Sequence, residues 1–584
     1  MKDIWHPAHH RSRGPGRLAA LLLTLVVMLG LTGGSALASP NGTGETSSSA
    51  VRVPASAMDA VAAMQPSWNL GNTLDAIPDE TSWGNPLTTR KLLATVRAQG
   101  FRSVRIPVTW TDHHSATAPY AIDAAYMNRV EQVVDWALAE GLYVVINIHH
   151  DSWQWISKMS TDHDEVLARF NSLWTQIAER FRDAPRALLF ESVNEPVFDN
   201  ATDAQKTQLL NELNTSFHSI VRSSGGGNTD RLLVLPTVGC TPSRTLMDDL
   251  STTISALHDS NLVATVHYYS WYPFSVNIAG GTHYDDNAQK DLDDAFARMH
   301  DTFVAKDIPV YLGEYGLLSW PDHNHPDRVE RGEALKYFEH LGYEARVAGV
   351  TTALWDPFAY LNRDTLRWRD PALFAWIKSS WTTRSGTASF DKIFLPKSSP
   401  ITAQSLTLNR NGTSFRGLWH GRTKLVAGRD YTVSGNRLTL TAKALTRLAG
   451  DRAYGVNATL RARFSRGLPW QIDVVTHDTP VLTNATGTTS SFTIPTQYRG
   501  DVLATMHATY ADGSNAGQTS WTPYQEFNKA FSPDYPNGKI ILTPEFLNAL
   551  RDTEPVTLTF HFYSGATVTY HVTKSGPSAT GTAS

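Results

Sequence analysis

Two glutamates, Glu195 in "LLFESVNEP" and Glu314 in "PVYLGEYG", each close an apolar run with the composition of a buried strand. A carboxylate at the end of such a strand loses hydration and needs either a partner or a task. Asn194 stands beside Glu195, and other apolar runs end on Asn72, Arg105, His149 with His150, His267 with Tyr269, and Trp355. Each residue alone has a plain reading, as an ion-paired Arg, a core His or a rim Trp. Together they predict a ring of polar groups on one rim. Two carboxylates across a cavity lined with Trp and His are equipment for breaking a glycosidic bond. At ~5–5.5 Å apart, one attacks the anomeric carbon while the other protonates the departing oxygen. Their mutual repulsion is expected to raise the pKa of the acid and keep it protonated.

The elements that must position these groups alternate. From Trp68 to about Trp355, eight short apolar runs are separated by helical patterns such as "NRVEQVVDWALAEG", whose apolar positions share one face before Gly141. The class expected is α/β, a (β/α)8 TIM barrel with its chemistry at the C-terminal ends of the strands. A doubly wound open sheet is the alternative, but it would usually carry a Gly-rich phosphate loop, and none is found. Strands four and seven lie on opposite sides of a small barrel's mouth, so Glu195 and Glu314 are expected to face each other. Adjacent residues on a strand point to opposite faces, which argues against His149 and His150 chelating one ion. No metal and no cofactor is expected.

The motifs "LLFESVNEP", "VYLGEYG", "FRSVRIP", "NIHHD" and "HYY" resemble glycoside hydrolase family 5, the cellulase family of retaining β-glycanases, over residues 57–383. The resemblance implies Glu195 as acid/base and Glu314 as nucleophile. It implies that Asn194 holds the sugar 2-hydroxyl and that Arg105 and Tyr269 hold Glu314 ionised and aimed. His149 and His267 would bind hydroxyls or tune the acid, with Trp355 as a platform beneath the sugar. "GNTLDA" and "ETSWGNPLTT" resemble the subfamily of broad-specificity endoglucanases and xyloglucanases, making Asn72, Trp83 and Trp153 or Trp155 substrate contacts. That group commonly has Asp-Asn-Gly after the Trp, where this chain has Asp356-Pro357-Phe358.

Beyond Trp381, Thr, Val, Leu and Tyr alternate with Gly and Asn turns, the composition of small all-β sandwiches. A weak repeat, "GNRLTLTAKALTRL" against "NGKIILTPEFLNAL", predicts two related modules. They resemble an immunoglobulin-like X2 module (389–476) and a family 46 carbohydrate-binding module (477–576), ahead of a disordered tail (577–584). Trp521, Tyr524 and Tyr535 of the second are candidate glycan-stacking residues, with core packing as the alternative for each. The first module is expected to act as a spacer.

Arg11, Arg13 and Arg17 precede an apolar run and "ALA", the pattern of an export signal (1–38) leading into a flexible polar leader (39–56). The single Cys240 excludes an internal disulfide. A net charge of −4 gives no basic footprint for nucleic acid. The expectation is a secreted, monomeric retaining endo-β-1,4-glucanase acting on cellulose-like, mixed-linkage or xyloglucan chains. It has a β-glucan polysaccharide as its partner, and no nucleic acid or, after signal cleavage, membrane. An endo-β-mannanase and a non-catalytic glycan-binding protein are the alternatives.

Overall fold

The computed structural model describes residues 53–319 and 329–584. The expected export signal and most of the leader lie outside the described residues. No helix among the described residues is long and apolar enough to cross a membrane.

Eight parallel strands close into a barrel. They are β1 (Ser67–Asn69), β2 (Ser103–Ile106), β3 (Tyr143–Asn147), β4 (Leu188–Glu191), β5 (Leu233–Pro236), β6 (Leu262–Tyr268), β7 (Val310–Tyr315) and β8 (Thr351–Leu354), with β8 pairing back to β1. Strand parity sorts their side chains. Val144, Ile146, Leu188 and Phe190 pack outward among the helices, whereas Tyr143, Val145, Leu189, Val234, Val263 and Tyr311 form a second, inner cluster. The helix Ala57–Ala63 joins that inner cluster through Ala57, Ala60 and Val61. Continuing inward, the same parity brings Arg105, Asn147 and Glu191 into the barrel above this apolar layer.

Helix boundaries follow local chemistry. The pattern around Val130 becomes the helix Ala124–Ala139, whose first turn is capped by the Asp123 carboxylate accepting from Tyr126 N, and Gly141 follows at φ 76°.

After the barrel in the chain come two sandwiches, each pairing a four-stranded with a five-stranded sheet. The repeat seen in sequence is a structural repeat. Strand Arg437–Leu440 runs into helix Ala442–Ala449, and strand Lys539–Leu542 into helix Pro544–Asn548. Thr441 and Thr543 cap the two helices in the same way. The tail expected to be disordered is instead a strand, Ser578–Ala583, paired on both sides. Its turn at Gly576 folds it back on Thr567–Ser575, and alternate burial of Ala579 and Gly581 seats it, a pattern that its small polar residues concealed.

Barrel and sandwiches meet along polar seams. Lys392 bonds Glu330 and, at 2.8 Å, Asp391; Lys336 bonds Glu333 at 2.7 Å and the Ser389 carbonyl at 2.6 Å. Gly332 is required there, because a Cβ would fall 2.6 Å from Asp391 Cγ. The segment after β6 docks on the second sandwich, Asn277 donating to Ala504 O (3.0 Å) and accepting from Phe527 N (3.1 Å).

Candidate active site

Glu314 reaches the barrel interior through a backbone irregularity. Pairing of β6 with β7 slips between Val266 and His267, so that Val266 faces Leu312 but His267 faces Glu314. Gly313 is the extra residue, and the bulge turns Glu314 inward where simple alternation from Tyr311 would turn it out. No side chain fits at 313, since a Cβ would lie 2.9 Å from Thr265 Oγ1 and 3.0 Å from His267 Nε2. Asn69 Nδ2 fixes the bulge by donating to Gly313 O at 2.9 Å. Across the mouth, Glu195 sits beyond β4 with φ 39°, a left-handed conformation that costs a non-glycine residue energy.

The structure brings the two glutamates together. One oxygen from each and a nitrogen of His267 lie within 4.8 Å of one another. Glu314 is 2% exposed and Glu195 31% exposed at the side chain, so one carboxylate is the floor of the site and the other its open wall. His267 Nδ1 is 2.7 Å from Glu195 Oε1 and 3.5 Å from Glu314 Oε2. Tyr269 donates its hydroxyl to Glu314 Oε2 at 2.6 Å. Arg105 donates to Glu314 Oε1 at 2.8 Å and to Asn194 Oδ1 at 2.7 Å. The last bond occupies the Asn194 carbonyl and leaves its amide NH2 for another acceptor.

Arg105 is not dedicated to Glu314. It also grips Glu191 through two bonds, 2.6 and 2.8 Å, with both side chains closed to solvent. Glu191 was missed by motif reading, although parity with Leu189 in "LLFE" gave the signal. Asn147 likewise joins the site unannounced, donating to His149 Nδ1 at 3.1 Å. That bond makes Nδ1 the acceptor and leaves Nε2–H free to donate. Burial, with His150 and Arg105 nearby, pushes the His149 pKa well below its ordinary value, so it acts as a neutral imidazole.

The protonation pattern differs from a two-carboxylate picture. Burial pushes Glu195 up, but its bond to His267 and the charges of His267 and Arg105 outweigh this and hold it low. Burial pushes Glu314 up, with the Glu195 charge adding to it, and His267 and Arg105 do not fully offset this. Burial also opposes a charge on His267, yet its surroundings hold its pKa well above the ordinary range. Against that burial, the neighbouring Cys240 sulfur raises it most, followed by the Glu314 charge and the bond to Glu195. These directions favour His267 over Glu195 as the holder of the proton between them, whereas mutual repulsion was expected to store it on the acid.

Other expected residues divide. His149 and His150 have already left β3, so strand alternation does not separate them; their rings lie 4.4 Å apart, and the argument from opposite faces fails. Asp75 joins them within 4.8 Å. Trp83 packs on His150 at 5.1 Å, and Trp153 donates to His150 Nδ1 at 3.0 Å while remaining 36% exposed. Trp155 is buried, bonded to Asp151 and covered by Arg169. Of that pair, only Trp153 offers a surface. Asn72, at φ 56°, is held by Asp75 and Asn85. Trp355 is 1% exposed, lies parallel to His149 at 5.9 Å and crowds Gly71, making it the closed floor of the site rather than an open platform. Asp356 accepts from Trp68 Nε1 and from the amides of Phe358, Tyr360 and Leu361. Phe358 sits at φ 91°, where the resembling subfamily commonly has Gly.

In the second sandwich the three aromatics also separate. Trp521 is 60% exposed. Tyr524 lies against Gly280 of the barrel and between His507 and His561, a packing residue of the seam rather than a free platform. Tyr535 is partly exposed but anchored, accepting from Leu503 N and packing on Tyr498.

Family models match three consecutive segments: cellulase (glycosyl hydrolase family 5) over 70–357, carbohydrate binding domain X2 over 384–474, and a CBM46 carbohydrate binding domain over 478–582. Endoglucanase B of Paenibacillus lautus is 48% identical over 574 residues, 97% of this chain and 99% of that protein. The full-length tri-modular endo-β-1,4-glucanase B of Bacillus halodurans superposes with a TM-score of 0.87 at 44% identity, covering 91% of this chain and 99% of that one. A tri-modular family 5 (subfamily 4) endo-β-1,4-glucanase of Bacillus licheniformis, solved with cellotetraose, gives a TM-score of 0.75 at 31% identity, covering 89% and 100%. With its closed barrel, its paired glutamates and this module order, the chain belongs to glycosyl hydrolase family 5, an endoglucanase-type glycoside hydrolase carrying an X2 and a family 46 module.

Proposed function

We propose that the protein is a secreted, retaining endo-β-1,4-glucanase that cleaves internal bonds of cellulose-like, mixed-linkage or xyloglucan chains. The observation that supports the retaining reading is that one oxygen of Glu195 and one of Glu314 lie within 4.8 Å of each other, nearer the ~5–5.5 Å carboxyl separation of retaining enzymes than the ~6.5–9.5 Å of inverting ones. Glu314 attacks the anomeric carbon, held by Tyr269 and Arg105, while Glu195 protonates the leaving oxygen. The proton comes to Glu195 from His267 across their 2.7 Å contact as Glu314 loses its charge to the sugar ester. Glu195 then takes a proton from the water that releases the product. The free amide of Asn194 meets the 2-hydroxyl, and His149 Nε2–H and Trp153 meet the neighbouring sugar. The cellotetraose held by the Bacillus licheniformis relative supports a β-1,4-glucan as substrate. Trp521 of the family 46 module extends the groove.

The test combines stereochemistry with rescue. Proton NMR of early hydrolysis should show the β-anomer forming first; an α-anomer would overturn retention. Glu195→Ala should lose about 10²–10⁴-fold in turnover and regain part of it with azide on an activated aryl cellobioside, giving a β-azide. Glu314→Ala should be inactive, and azide should not return a β-product. Rescue of both variants in the same stereochemical sense would sink the assignment of roles.

A further inference from the structure

The chain's overall charge of −4 conceals a strong imbalance. Residues 384–474, the X2 module, carry fifteen Lys and Arg against four Asp and Glu. The four acids are occupied elsewhere. Asp391 lies in the seam with Lys392, Asp430 pairs with Arg429 and Arg447, Asp451 accepts from Ala453 N, and Asp473 accepts from Thr459 and Gln471. Among the described residues, none of them pairs with Arg416, Lys424, Arg461 or Arg463.

Three of those cations, Lys424, Arg461 and Arg463, gather on one side of one sheet around an aromatic ring, and Arg416 lines the cavity beside them. In the five-stranded sheet, Trp419 on strand Phe415–His420 stands opposite Arg461 of strand Gly455–Phe464 and opposite Lys424 of strand Thr423–Lys424. The Arg463 guanidinium lies 4.5 Å and Lys424 Nζ 5.0 Å from the centre of the Trp419 ring. Beside them opens a cavity of about 440 Å³, lined by Phe415, Arg416, Gly417, Gly428, Tyr431 and Val433. Gly417, at φ 128°, lines it, and a Cβ there would press on Lys424 Cε (3.0 Å) and Tyr431 OH (3.1 Å).

We propose that this face is a binding site for an acidic polysaccharide, a polyuronate bearing a carboxylate on successive sugars. Guanidinium forks match carboxylates in a two-bonded geometry. Arg461 and Arg463, two residues apart on one strand, offer repeated cations along a line, as a polymer with repeated carboxylates requires. An aromatic ring among the cations suits the flat C–H face of a sugar. The matching family description, a carbohydrate binding domain, favours an acidic glycan over nucleic acid. The site would anchor the enzyme on acidic wall polymers while the barrel works on neutral glucan beside them.

Calorimetric titration of the full chain with polygalacturonic acid tests this. Binding is expected at about 0.01 M salt and should largely vanish by about 0.3 M as the charges are screened. Fully methyl-esterified polygalacturonate should not bind. Arg461→Glu/Arg463→Glu should weaken binding by about tenfold or more, and Trp419→Ala should weaken it by a smaller factor. Thermal unfolding and hydrolysis of soluble β-glucan, unchanged in these variants, show that fold and barrel are intact. The proposal is overturned by absence of binding at low salt, or by equal binding of the charge-reversed variant. It is equally overturned if duplex DNA binds as tightly as polyuronate and Trp419→Ala changes neither, which would leave only bare attraction for polyanions.

Discussion

His267 Nδ1 and Glu195 Oε1 lie 2.7 Å apart, so imidazole and carboxyl hold one proton between them. Such a pair titrates as a unit, and its proton is lost only at the higher of the two limits. The pKa of His267 is raised well above its ordinary value, so the unit keeps its proton through neutral pH. In His267→Gln, Glu195 must hold the proton alone. The alkaline limb of kcat/KM against pH should therefore move to lower pH by about 1 unit or more, with kcat falling. An unmoved alkaline limb would refute the shared proton.

Trp521 is the exposed aromatic of the family 46 module, whereas Tyr524 is spent in the seam with the barrel. Trp521→Ala should raise KM on xyloglucan or barley β-glucan about tenfold while leaving kcat on an aryl cellobioside unchanged. Deleting residues from 477 onward should reproduce that loss. If both variants hydrolyse branched soluble glucans as the parent does, the module does not reach the substrate.

Phe358 has φ 91°, a region costing an L-residue roughly 1–2 kcal/mol. Substituting Gly or Ala removes the ring and its contact with Arg369 alike, so the pair isolates the backbone. Phe358→Gly should be more stable than Phe358→Ala by about 1 kcal/mol in chemical denaturation, the reverse of the order at an ordinary φ. Equal stabilities would mean that the loop relaxes to negative φ once the ring is gone.

At the seam, burial and the neighbouring Glu330 push Asp391 up to about 7, against the opposing pull of Lys392. Glu333, Lys336 and His283 face the same cluster. An unfolded Asp titrates near ~3.9. Because the folded value is the higher one, folding favours the protonated form, and the group's contribution to stability falls as pH rises from ~4 to about 7, then levels off. Asp391→Asn removes that dependence. Its Tm should exceed the parent's by more at pH 8 than at pH 5; an equal difference at both would exclude Asp391 as the source.

Much of this site was legible in the residues. The strand-end polar groups named the barrel's active rim, and Arg105, Glu195, His267, Tyr269 and Glu314 all converge there. What escaped was whatever depends on departures from regular structure. Gly313 stands unmarked inside "PVYLGEYG", yet it is the bulge that aims Glu314. His149 and His150 read as strand neighbours but lie past the strand's end. Glu191 was given no role inside "LLFESVNEP", and its parity is what places it beside Arg105. Net charge, averaged over 584 residues, hid the basic X2 module inside an acidic whole. Exposure of Trp521, Tyr524 and Tyr535 could not be told apart, because the residues that cover Tyr524 and anchor Tyr535 come from distant parts of the chain.

The left-handed backbone of Glu195 sets a conflict between endurance and work. A library sorted only for survival on heating should collect glycine or asparagine at 195, which relax there and also remove a half-satisfied carboxylate from the barrel mouth. Every such winner would be a sturdier protein with little turnover left. Improving this enzyme for hot process liquors therefore demands that turnover be screened alongside durability from the first round.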